Sequence, residues 1–133
     1  MYEKKVKFHY TSEKSTLSVS HAITYSPYNE PYKMHTHDAC ELYYFLSGDA
    51  YFIVEGTKYP LKEGSLLLFR ESEAHKVHIS SQLPYERIVF SFDSDLICSH
   101  DDGIHAFIYS RDLGQSNLIC DPFDSASGKN DTM

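Results

Sequence analysis

At 133 residues the chain has the length of one domain, enough to bury about two thirds of its unfolded surface around a single core. Twelve Lys and Arg against nineteen Asp and Glu give a formal charge of -7, the wrong sign for neutralising a phosphate backbone, so this segment alone is not expected to bind DNA. Cys40, Cys98 and Cys120 are odd in number and form no C-x-x-C pair, which argues against a disulfide framework or zinc knuckle and for a reducing cytoplasm, while no stretch approaches the roughly 18 apolar residues of a membrane span and MYEKKVKFHY lacks a signal-peptide core.

In chain order, residues 1–19 contain KKVKFHYTSEKS, which reads as an edge strand or a loose arm. AITYS and the segment carrying His35 follow as extended stretches, with Pro27 and Pro31 bracketing a tyrosine-rich loop. Gly48, Gly56 and Gly64 then recur every eight residues, followed in turn by DAYFIVE, TKYPLKE and SLLLFRE. Strand-length apolar and aromatic runs with regular turn punctuation predict antiparallel hairpins. HKVHIS and YERIVFSF add two more strands. Seven to nine short strands predict an all-β jelly roll or small barrel occupying residues 20–110, whose interior is able to hold a ligand.

After Phe92 the pattern changes. Asp93 or Ser94 is placed to cap a short helix near 94–99, and a second short helix or strand is expected over Ile104 to Tyr109. Residues 111–133 read as a polar carboxy-terminal tail ending in SASGKNDTM, too small and polar to build a core.

The chemistry concentrates in HTHDACELYYFLSG, residues 35–48. In an extended strand alternate side chains share a face, so His35 and His37 point one way and Glu41 keeps their parity if no bulge intervenes. His75 is a fourth converging group if its strand lies beside the first. Two readings stay open: these groups ligate a divalent transition metal, or they hydrogen-bond a polar ligand in a pocket. Tyr43 and Phe45 share the parity of Glu41, and Tyr51, Ile53 and Tyr59 sit on neighbouring strands, as pocket lining or simply as core. Arg87 alternates with Ile88; it either clamps Glu41 or an effector carboxylate, or makes an outward salt bridge. No G-x-S-x-G elbow, G-x-G-x-x-G or Walker pattern is present, so hydrolase and phosphate-cradle readings lack support.

Residues 35–48 match the pattern His-x-His-x3-Glu-x6-Gly in full, and GSLLLFRESEAH supplies a second glycine and histidine in Gly64 and His75. Together they resemble the paired motifs of the cupin superfamily, with Arg70 and Ser72 where proline and glycine are usual and Ile79 where an asparagine often stands. Over roughly residues 20 to 95 the chain resembles the amino-terminal sensing domain of AraC-type transcription regulators. The resemblance implies a cupin double-stranded β-helix with one or two short helices after the barrel. It implies a non-enzymatic domain that binds a small-molecule effector, with sugars as the leading class, and supports a homodimer in the full-length protein. DNA would be contacted only through a helix-turn-helix half following residue 133. His35, His37, Glu41, His75, Tyr43, Phe45 and Arg70 are then the ligand-binding candidates, with Arg70 a donor to an anionic ligand at the barrel mouth or a partner of Glu71 or Glu73. The alternative is a freestanding metal-dependent cupin enzyme, a dioxygenase or isomerase, with His35, His37, Glu41 and His75 as metal ligands.

Overall fold

The computed structural model describes residues 2–29, 32–34, 38–98 and 102–120. Nine strands and two short helices follow in the order β1 (Glu3–Thr11), β2 (Leu17–Tyr25), β3 (Cys40–Ser47), β4 (Ala50–Val54), β5 (Thr57–Pro60), β6 (Leu66–Phe69), β7 (His75–Ile79), β8 (Tyr85–Phe92), α1 (Ser94–Cys98), α2 (Asp102–Tyr109) and β9 (Leu118–Cys120). A six-stranded sheet in the order β1-β2-β8-β3-β6-β9 faces a three-stranded sheet in the order β5-β4-β7, and every pairing is antiparallel. This is the all-β barrel expected from the hairpin pattern.

The glycine punctuation works as turn chemistry requires. Glu55 and Gly56 connect β4 to β5 with φ of 46° and 86°, the two positive values of the two-residue hairpin turn whose twist matches the flanking strands. The Glu55 carboxylate also accepts the Ala74 N–H at 2.7 Å, tying this turn to the entrance of β7.

The core lies between the two sheets. Phe45, Leu67, Phe69 and Tyr85 from the large sheet meet Phe52, Val54, Val77 and Ile79 from the small one, each fully buried side chain contributing about 1.5–3 kcal/mol. A second cluster forms on the outer face of the large sheet, where Ile108 of α2 packs on Cys40, Leu68 and Phe92. Asp93 caps α1 by accepting the Asp95 N–H at 3.2 Å, as its position before the helix predicts.

Residues 1–19 supply β1, an edge strand whose residues are all exposed, together with the start of β2. Residues 111–120 differ from the polar tail expected of them. They fold back onto the barrel, where β9 pairs with β6 and Arg111 and Asn117 hydrogen-bond the buried Glu73. Gly114 at φ 79° makes the close approach there, since a Cβ would stand 2.7 Å from the Val54 carbonyl oxygen. Residues 121–133 lie outside the described residues.

Candidate functional site

Strand β3 delivers Glu41 to the inner face, opposite Phe69 on one side and Ser91 on the other. β7 begins at His75, whose partner in the small sheet is Val54. The two side chains meet across the gap between the sheets, with His75 Nε2 2.9 Å from Glu41 Oε1. The imidazole is fixed on two further sides: its ring stacks on Phe69 at 4.2 Å with an interplanar angle of 2°, and its Nδ1 lies 2.8 Å from the Glu73 carbonyl oxygen. A carbonyl only accepts, so Nδ1 carries a hydrogen. The Nε2 contact therefore holds a single proton, as imidazolium against carboxylate or as imidazole against carboxylic acid. In either form the pair is neutral overall.

Glu41 and His75 form one end of a cavity of about 150 Å³. Its floor is apolar and aromatic, with Phe52, Phe69, Val77 and Val89. Tyr43 and Tyr85 cross it with their hydroxyls bonded to one another. Burial, followed by the neighbouring Tyr85, holds the Tyr43 phenol well above its ordinary pKa, so it stays a neutral donor and acceptor. Tyr32, Arg87 and the exposed Lys33 complete the described lining. Arg87 is 8% exposed; its Nη1 donates to Thr24 Oγ1 at 2.8 Å and to the Tyr85 carbonyl at 3.2 Å, and its guanidinium lies 4.4 Å from the centre of the Tyr85 ring.

Of the candidates read from sequence, the structure brings Glu41, His75 and Tyr43 together on this cavity. His35 and His37 lie outside the described residues. Phe45 is buried at 1% exposure in the core rather than in the cavity lining. Arg70 is likewise not a cavity residue: its guanidinium donates to the Tyr109 carbonyl at 3.2 Å and so satisfies a carbonyl at the end of α2, where a cation is favourable. On β4 the inward residues are Ala50, Phe52 and Val54, which leaves Tyr51 and Ile53 on the other face. Tyr51 stacks there with His78 at 4.5 Å, and Tyr59 donates to the Gly114 carbonyl at 2.7 Å instead of reaching the cavity. Arg87, by contrast, is the inward of the two orientations open to it.

A metal would need donors beyond these two. Glu41 and His75 offer one oxygen and one nitrogen, and among the described residues no group of three or more His, Cys, Asp and Glu is placed to hold an ion. The pinned Nδ1 hydrogen of His75 does leave Nε2 facing inward, the tautomer a metal ligand requires.

Residues 19–107 match the family described as the AraC-like ligand binding domain. The chain belongs to that family. No curated protein sequence matches it. Solved structures show the fold of this AraC-like domain at low identity. A cupin protein from Bacteroides fragilis is 21% identical with a TM-score of 0.52, over 59% of this chain and 67% of that one. A cupin domain of an XRE family transcriptional regulator from Enterobacter cloacae is 18% identical with a TM-score of 0.54, over 68% and 95%. The DMSP lyase DddQ from Ruegeria pomeroyi is 19% identical with a TM-score of 0.53, over 68% and 46%. The same barrel thus occurs in a regulator and in an enzyme. In this AraC-like domain the second buried carboxylate, Glu73, is saturated: Arg111 donates to both its oxygens at 2.8 and 2.9 Å, and the Gly114, Arg70 and Asn117 N–H groups add three more bonds. Burial alone would raise its pKa, but these donors outweigh it and hold the group at about 2.

Proposed function

We propose that this AraC-like domain is the effector-sensing part of a cytoplasmic transcription regulator, that it is not an enzyme, and that it works as a homodimer in the full-length protein. The observation that carries the reading is the cavity itself, an apolar chamber with a few convergent polar groups in Glu41, His75, Tyr43 and Arg87, the form of a small-molecule site. A sugar or similar hydroxylated molecule suits it. Glu41 and the paired tyrosine hydroxyls hydrogen-bond hydroxyl groups, and Phe52 and Tyr43 offer rings to an apolar sugar face. A ligand that fits one arrangement of the chamber better than another shifts the population presented to a DNA-reading domain.

One connection supports such coupling. The His75 imidazole is bonded to the backbone of Glu73, whose carboxylate holds Arg111, Gly114 and Asn117. The cavity wall and the segment that follows α2 are therefore tied to one turn.

The inward Nε2 of His75 favours a second reading, a metal-dependent cupin enzyme completed by His35 and His37. Equilibrium dialysis against a metabolite mixture, with mass spectrometry of the retained fraction, separates the two. Retention of an unchanged compound at one per domain supports sensing; conversion of the compound, with stoichiometric metal in elemental analysis, supports the enzyme.

A further inference from the structure

Arg87 stands out from every other buried charge in the described residues. Glu73 is matched by Arg111, and Glu41 by the proton it shares with His75. Arg87 is buried too, yet no carboxylate contacts it among the described residues; it uses one nitrogen on a hydroxyl and a carbonyl and rests on the Tyr85 ring. A buried guanidinium without a counter-charge carries a desolvation cost that a neutral hydroxyl and a ring offset only in part. Among the described residues, three of its five N–H donors, on Nε and Nη2, meet no acceptor.

The rest of the lining adds to this. Since the Glu41–His75 pair is neutral overall, Arg87 brings a cationic group to the described lining of the chamber, in a chain whose formal charge is -7. The charges are also ordered along the barrel. Arg87 is opposite Phe45, and Glu41 is opposite Ser91, four residues further along β8, or about 13 Å of strand. The neutral, hydroxyl-binding end and the cationic end are thus separated by the apolar floor.

Resting on the effector-site reading above, we propose that the ligand is a small hydroxylated carboxylate rather than a neutral sugar. Its carboxylate is received by the guanidinium of Arg87, and its hydroxyl groups reach toward Tyr43 and the Glu41–His75 pair. Two parallel N–H···O bonds from a fork of this kind give carboxylate both strength and direction.

The test is a thermal-shift and calorimetric titration of the domain with glucuronate, gluconate and lactate, set against glucose and the methyl ester of glucuronate. The expected result is that at least one carboxylate raises the melting temperature and binds at least tenfold more tightly than its neutral counterpart. Arg87→Met is expected to abolish that preference and Arg87→Lys to retain part of it; the acid-against-ester comparison needs no variant, so a poorly folding Arg87→Met does not blunt the test. Equal stabilisation by glucose or the ester would overturn the carboxylate inference and leave the effector site standing. So would carboxylate binding undiminished in a folded Arg87→Met. No stabilisation of the folded wild-type domain by any of the five compounds would overturn both readings.

Discussion

Glu41 and Glu73 are both drawn out of solvent beside His75, one meeting its imidazole and the other lending it a backbone carbonyl, yet they serve opposite ends. Glu73 is 0% exposed and takes five N–H donors, two of them from a bidentate Arg111. Glu41 keeps 14% of its side chain exposed, shares a proton with His75 and meets Ser91 at 3.5 Å, beside a cavity. A carboxylate whose lone pairs are all taken holds structure in place. One that faces a chamber is able to exchange partners, and binding needs that freedom.

The difference can be broken most forcefully at Glu73. Glu73→Ala is expected to cost about 3–5 kcal/mol in denaturant unfolding, because Arg111 is left buried without its counter-charge. Glu41→Gln, which keeps the shape and a hydrogen-bonding oxygen, is expected to cost less than about 1.5 kcal/mol. Equal losses at the two positions would erase the distinction between clamp and site.

Acid sharpens the same contrast. With Glu73 at about 2 in the folded chain against an ordinary 4.5, the folded state binds this proton less readily than the unfolded one. The contribution is therefore complete above the ordinary value and fades as pH falls from about 4.5 toward 2. It amounts to roughly 3 kcal/mol. Unfolding midpoints measured from pH 6 down to 2.5 should fall more steeply in the wild type than in Glu73→Gln, which has no proton to gain there.

A smaller effect is expected where the clamp closes on the barrel. Gly114→Ala forces a side chain into positive φ and against the Val54 carbonyl, at a cost of about 1–3 kcal/mol. The loss should appear as faster amide exchange at position 114 and at Asn117, whose N–H groups bond Glu73 and Tyr59 in the wild type, before it appears at Tyr43 in the core.

The two regions also differed in how far the sequence exposed them. The hairpins were legible because Glu55-Gly56 and its neighbouring glycines demand turns, and strand parity put Glu41 and Tyr43 on one face; His75 was expected to join them from a strand beside theirs, but it comes from β7 in the facing sheet. Parity was silent elsewhere. β4 reads AYFIV, apolar throughout, so nothing marked Phe52 rather than Tyr51 and Ile53 as inward. β8 carries Val89 on its inner face and Ile88 and Phe90 on the other, because the outer face of the large sheet is itself apolar at Leu42, Phe90 and Phe92 around α2. Alternation around Arg87 therefore gave no sign of its direction. The Glu73 clamp was hidden for another reason: RDLGQSNL looks like a solvated tail until a carboxylate some forty residues earlier in the chain gathers its Arg, Gly and Asn. Only the fold creates that pairing.

The central claim, that effector occupies the chamber between the sheets, is tested most directly by methyl NMR during titration with glucuronate. Val77 and Val89 line the chamber, while Ile53, on the strand beside Val77, and Ile88, next to Val89 on β8, have the opposite orientation. Saturable shifts at Val77 and Val89, with Ile53 and Ile88 unmoved, are the predicted result. Shifts confined to Ile53 and Ile88 would place the ligand on the outside of the barrel and contradict the account.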